Sequence, residues 1–420
     1  MSSLKFILAG MLIFLPMPDA NAGPSAVHDY RAVDQHALNA PATAASSFKT
    51  LARWLTEPFH SDEEKTRAIF RWITQNISYD VDAFFLGRYM SGRAEDALKN
   101  KRGVCEGYSG LFEQLARAAG IAAVKISGFA KGYGYAAGGT IGAVPNHAWN
   151  AVKINGEWKL LDCTWGAGYI GDDRKFHREF NPHYFFTAPE EFVFDHLPEE
   201  QQWQLLDHPR SKEEYQTMVY LRPKFFALGL ELRGEPDGTI RTTGELNIKL
   251  RSPREVLAMA LLQQGSRKLD ERWTFVQQEG DALSIYALPP ATGDLTLRLF
   301  AKAPSEKGDY EWILDYHIVS TGDPESSSGY PRVFAAFQEK RAILLEPMQG
   351  ILHTGVNQHF RLRIPGAEQA AVIVKEKWSM LQRRGDLFEG EVTIAAGDIG
   401  VYAKYPGSKD FDALLEYRSE

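Results

Sequence analysis

Asn155-Gly156 stands between two runs of strand-forming residues, His147 to Ile154 and Glu157 to Thr164. Asn-Gly suits the positive backbone torsions of a two-residue turn, so the two runs are expected to pair as one antiparallel hairpin. Ile154 then faces Glu157, Trp149 faces Asp162, and His147 faces Thr164. Side chains alternate across a strand, which puts His147, Trp149, Asp162 and Thr164 on one face and Cys163 on the other. His147 and Asp162 become diagonal neighbours, roughly 7–8 Å apart at the backbone, within reach of an imidazole–carboxylate hydrogen bond. Such contacts also occur on exposed sheet faces, so the pair gains chemical meaning only with a third group.

Cys105 is the candidate for that group. A helix is expected from near Gly103, with Cys105, Tyr108, Phe112, Leu115 and Ala119 on one stripe and Gly120 ending it as a C-terminal cap. A thiol in the first turn feels the positive end of the helix dipole and unpaired N–H groups, which favour the reactive thiolate. The competing reading is a small buried hydrophobe on a core-facing stripe. Together, Cys105 as nucleophile, His147 as proton acceptor and Asp162 as the group fixing the imidazole tautomer supply the parts of a thiol catalyst. The only other cysteine is Cys163. Two cysteines allow one disulfide at most, and the hairpin register turns Cys163 away from His147, so both are expected to be unpaired.

Four motifs carry a family resemblance. They are Arg102-Gly-Val-Cys-Glu-Gly-Tyr108, Ile126-Ser-Gly-Phe-Ala-Lys-Gly132, Asn146-His-Ala-Trp-Asn-Ala-Val152 and Leu161-Asp-Cys-Thr-Trp-Gly-Ala-Gly168. With the trailing Tyr184-Phe-Phe-Thr-Ala-Pro-Glu-Glu191 and Trp203-Gln-Leu-Leu206, they resemble the transglutaminase-like superfamily, above all its kyphoscoliosis-peptidase branch, over about residues 50–210. The resemblance implies a papain-like core with a Cys–His–Asp triad falling on Cys105, His147 and Asp162. It also implies β-rich regions after that core. Cys163 departs from the pattern, which often has a small apolar residue there.

Across its 420 residues the chain is 44% apolar and 24% charged with a formal net charge of −7, a balance that excludes disordered and collagen-like chains. It also argues against a general nucleic-acid binder, which needs a clustered basic excess. Lys5, the apolar run Phe6 to Pro16 and Ala20-Asn21-Ala22 read as a cleaved secretory signal peptide over residues 1–22, implying a secreted or periplasmic protein. No stretch is long enough for a transmembrane helix. Residues 23–45 lack periodicity and read as a leader. A helical pattern runs from about Phe48 to Gln75, and 46–210 is the expected catalytic domain. Residues 128–143, with six glycines, read as a mobile loop; Gly132-Tyr-Gly134 does not continue as a dinucleotide fingerprint.

After Pro209 the chain becomes short strands with turns at Asp237-Gly238, Gly280-Asp281 and Gly293-Asp294. Asp309-Tyr-Glu-Trp-Ile-Leu-Asp-Tyr316 is echoed by Asp410-Phe-Asp-Ala-Leu-Leu-Glu-Tyr417, each after a similar Gly-Asp-initiated segment. A repeat of roughly 100 residues built from short strands suggests two tandem β-sandwiches, here 222–320 and 330–420, with Gly322 to Pro331 as linker. The expected architecture is α+β: a papain-like, transglutaminase-like core followed by two immunoglobulin-like β-sandwich modules.

Other chemistry is weaker. His177, His183 and Asp172-Asp173 match no compact metal-ligand spacing and read as solvated loop residues. Glu190-Glu191 after Pro189 reads as a helix first turn. Neither a calcium loop nor a G-x-S-x-G elbow is present. No cofactor or metal is implied. The expected function is an exported thiol enzyme acting on amide bonds of a protein or peptide substrate through a thioester. Water as acceptor makes it a peptidase or amidase, the outcome the resembled branch favours; an amine makes it a transglutaminase. The alternative is a catalytically silent binding or adhesion module.

Overall fold

The computed structural model describes residues 29–88, 92–234, 236–322 and 328–420. The expected signal peptide, 1–22, lies outside these residues. The segment read as a leader is instead part of the core from Asp29 onward. Helix α1 (Arg31–Leu38) buries Val33 and Ala37, and a 3-10 turn spans Ala42–Ser46. Polar contacts hold α1 in place: Asp34 pairs with the buried Arg67 at 2.7 Å and 2.8 Å, and the Tyr30 hydroxyl donates to Glu63. Two buried apolar residues in eight give too little periodicity for a sequence pattern to register.

The pattern over Phe48 to Gln75 forms two helices, α2 (Phe48–Thr56) and α3 (Asp62–Asn76). They break around Pro58, and Ser61 with Glu64 forms a capping box that restarts the helix. Strand β1 (Ser78–Tyr79), helices α4 (Val81–Phe85) and α5 (Ala94–Asn100), and strand β2 (Arg102–Gly103) follow, with β1 and β2 parallel. They lead into α6 (Cys105–Ala118), whose Tyr108, Leu111, Phe112 and Leu115 are fully buried. Helix α6 packs on the sheet and is covered by α2 and α3.

That sheet contains β3 (Ala123–Ala130), β4 (His147–Ile154), β5 (Glu157–Leu161), β8 (Phe185–Thr187) and β9 (His196–Pro198), with the short hairpin β6 (Gly168–Ile170) and β7 (Phe176–Arg178) outside it. Its order is β8-β5-β4-β3-β9, antiparallel throughout. The β4–β5 turn has the expected positive torsions, φ 51° at Asn155 and 91° at Gly156, and Ile154 faces Glu157. The ladder holds register to Asn150–Leu161 and stops there. Asp162 does not pair with Trp149; its peptide N–H donates to the Tyr184 carbonyl at 2.9 Å. The acidic pair Glu190-Glu191 does open a helix, α7 (Pro189–Phe192).

Two β-sandwiches follow. In the first, one sheet runs Tyr220–Leu221, Glu311–Ser320, Gly293–Lys302, Leu257–Gln264, Arg267–Lys268, with Thr239–Thr242 parallel to Glu311–Ser320. The facing sheet runs Glu231–Leu232, Leu246–Arg251, Ala282–Ala287, Thr274–Glu279. The second module repeats this order: Arg332–Val333, Asp412–Ser419, Ile399–Lys404, Gln369–Val374, Lys377–Met380, with Ile351–Leu352 parallel to Asp412–Ser419. Its facing sheet runs Ile343–Glu346, Asn357–Arg363, Leu387–Thr393, Gln382–Arg384. Even the bulge between Leu299 and Phe300 recurs between Val401 and Tyr402. Gly293-Asp294 opens a strand rather than forming a turn. The first module's sheet begins with Tyr220, ahead of the boundary expected at 222.

Candidate active site

Cys105 opens α6, and Val104 at the N-cap makes no side-chain cap bond, so the helix presents its first-turn N–H groups at the thiol. The parallel β1–β2 pairing sets Tyr79 beside Gly103 and hence beside the thiol. Burial, then the charges of Cys105, Tyr108 and Asp162, hold the Tyr79 phenol well above its usual range. Cys105 is 0% exposed and His147 5%. The thiol therefore lies beneath the surface.

The structure brings Cys105, His147 and Asp162 together. His147 Nε2 lies 2.7 Å from Asp162 Oδ2, and the Cys105 side chain hydrogen-bonds the same imidazole. With Nε2 on the carboxylate, Nδ1 is the nitrogen left for sulfur. Asp162 Oδ1 accepts the peptide N–H groups of Thr164 at 2.6 Å and Trp165 at 3.2 Å. The departure of Asp162 from the ladder thus frees its carboxylate to cap its own turn and meet His147 from the strand end. Burial alone would discharge His147, but the Asp162 carboxylate and the thiol outweigh it and raise its pKa to about 9. Burial also opposes charge on Asp162; the His147 and His196 cations and their hydrogen bonds prevail and hold it well below the usual carboxylate range.

His196 was not among the sequence candidates. Its Nε2 lies 3.2 Å from Asp162 Oδ2 and its Nδ1 2.6 Å from Asp195 Oδ1. It arrives through the β3–β9 pairing of Phe129 with Leu197, a contact that no local spacing announces. Trp165 and Trp149 flank the imidazoles, with Trp165 centroids 5.3 Å from His147 and 4.5 Å from His196. Each of His147, Asp162 and His196 offers a ligand atom within 4.8 Å of the others. Those atoms are engaged with one another, so a cation would have to displace protons from both rings to enter.

The remaining candidates fall elsewhere. Neither cysteine forms a disulfide, and Cys163 lies buried in the main core, where burial pushes its thiol well up. His177 pairs with Asp173 at 2.8 Å in an exposed hairpin, whereas His183 stacks on Phe226 at 5.5 Å. The glycine-rich loop is irregular but tied down: Ile141 N–H donates to Gln216, and Lys212 donates to the Gly142 carbonyl.

A helix-borne thiol facing a histidine on β4 and an aspartate just beyond β5, followed by β-sandwiches, defines a class. Residues 49–163 match the transglutaminase-like superfamily, and residues 212–331 match the KY-like, immunoglobulin-like domain. The chain thus carries a transglutaminase-like domain. Among its relatives is the kyphoscoliosis peptidase of Mus musculus, 35% identical over 278 residues that make up 66% of this chain and 41% of the relative. The Homo sapiens protein of the same name is 33% identical over the same shares, and hillarin of Drosophila melanogaster is 26% identical over 66% of this chain and 37% of its own length. The chain therefore spans well under half the length of these curated relatives.

Proposed function

We propose that the protein is a thiol enzyme acting on amide bonds, with Cys105 as nucleophile, His147 as proton carrier and Asp162 as the group that orients and charges His147. The observation that carries this reading is the buried Cys105–His147–Asp162 chain, with 2.7 Å between imidazole and carboxylate. Cys105 gives its proton to His147, and the resulting thiolate attacks the substrate carbonyl carbon. The first-turn N–H of Cys105 faces the developing oxyanion. When the C–N bond breaks, the amine leaves with the proton from His147 and a thioester remains. Water, deprotonated by His147, then attacks the thioester and releases the acid, and the thiol recovers its proton. Hydrolysis is the favoured outcome, since two of the relatives are named as peptidases. An amine acceptor in place of water would give transamidation. The substrate is a protein or peptide, and residues 1–22 direct its export to a secreted or periplasmic location.

The test is labelling of the full chain with a thiol-directed peptide probe, comparing native protein with Cys105→Ala. Cys105-dependent labelling, and release of the acyl group by water or by an added amine, supports the enzyme and assigns the acceptor. The complete burial of Cys105 favours a second reading, a silent binding module. Folded protein that never labels at Cys105 selects that reading.

A further inference from the structure

Asp162 follows the last laddered residue of β5, so backbone pairing does not fix its side chain. The Thr164 and Trp165 N–H groups hold Oδ1, but Oδ2, the oxygen that meets His147, needs its own restraint. His196 provides it from the opposite edge of the sheet. Its imidazole is 1% exposed at the residue level, stacked on Phe192 at 4.1 Å and 18°, and set against Trp149 at 5.0 Å. Asp195 is itself clamped: its carboxylate accepts from Tyr184 Oη at 2.9 Å, and its carbonyl accepts from Tyr215 Oη at 2.8 Å and from Lys131 N–H at 3.0 Å.

Both nitrogens of His196 face carboxylate oxygens. Either neutral tautomer would set a lone pair against one of them, so the arrangement calls for an imidazolium that donates to both. We propose that Asp195 and His196 form a positioning pair that holds the Asp162 carboxylate in the orientation from which it orders His147. This rests on the assignment of Cys105, His147 and Asp162 made above. The titratable groups facing His196 are Asp195, Asp162, His147, Tyr184 and, less directly, His183. Burial opposes charge on His196, but Asp195 and Asp162 outweigh it and raise its pKa to about 9, in keeping with the imidazolium.

The experiment is the pH titration of His147, followed by NMR of labelled histidine side chains in the full chain, native against His196→Ala. If His196 positions Asp162, its loss lets the carboxylate turn away, and the His147 titration falls by about one pH unit or more. If His196 is only a nearby positive charge, removing it raises the His147 titration. If it only fills space, the melting temperature falls and the titration stays. Either of these last two results overturns the proposal. Should His196→Ala fail to fold, Asp195→Asn decides, because it keeps the ring and removes the carboxylate that orients it. A lowered His147 titration supports the positioning pair, and an unchanged or raised one overturns it. The readout needs no substrate. Failure of Cys105 to label would therefore count against the enzyme reading and leave this result to be judged separately.

Discussion

Asp162 accepts from two imidazoles and two peptide N–H groups while fully buried. Such a carboxylate stays ionised only through its donors, and it keeps His147 charged in return. Asp162→Asn should keep the fold and lower the labelling rate of Cys105 by about 10³-fold or more, because the amide no longer enforces the productive tautomer. Linkage gives a second outcome. His147 and His196 have folded pKa values near 9, above the 6.5 of free histidine, so their stabilisation is complete below 6.5 and lost as pH rises through 9. Urea unfolding at intervals across that window should show the native protein losing stability with pH and Asp162→Asn losing less. The Asn-Gly turn made the β4–β5 register legible as far as Asn150–Leu161, but the His147–Asp162 contact arises where Asp162 leaves that ladder, not from the expected Trp149–Asp162 pairing. His196 was not legible, since its place depends on a strand pairing that no turn residue specifies.

Among the elements, the β3–β9 junction is tightly constrained. A Cβ on Gly128 would collide with the Leu197 carbonyl oxygen and the Trp149 ring. Gly128→Ala should therefore destabilise by about 3 kcal/mol and displace His196, the next residue before Leu197. By contrast, a Cβ on Gly156 would meet nothing within 4 Å, so Gly156→Ala should cost only about 1 kcal/mol, from its φ of 91°. Chemical denaturation of the two variants separates these outcomes. Helix α1 shows why part of the core escaped the sequence reading. Its attachment is an ion pair between Asp34 and a buried Arg67, and charge pairing leaves no apolar period. Removing Asp34 alone, as Asp34→Ala, strands the Arg67 guanidinium and should lower stability by about 3 kcal/mol in the same assay.

At the scale of the whole molecule, the weak sequence repeat became a shared topology, down to the position of a bulge. The expected boundaries were less well drawn, because a two-residue edge strand such as Tyr220–Leu221 has no pattern of its own. A fragment starting at 222 lacks that strand and should unfold at lower denaturant than one starting at 211. The first sandwich is also bolted to the transglutaminase-like unit. Lys131 is buried with its ammonium on the Met218 carbonyl at 3.1 Å, and Tyr220 Oη donates to the Lys131 carbonyl at 2.7 Å. Burial, with Asp195 pulling the other way, lowers the Lys131 pKa to about 7 from 10.5. The unfolded chain binds this proton across that window and the folded one does not, so this residue's destabilising effect grows as pH falls from 10.5 to 7. Lys131→Met should therefore gain stability relative to native protein as pH falls through that range, as read by unfolding curves.

The central claim is that the thiol of Cys105 and the imidazole of His147 act as one unit. Its most direct test is the titration of His147, resolved by NMR in native protein and in Cys105→Ser. The thiol and Asp162 together hold His147 near 9, so replacing the thiol by a hydroxyl should lower that value while the fold persists. A His147 that titrates near the 6.5 of free histidine in the native protein, unmoved by Cys105→Ser, would contradict the account.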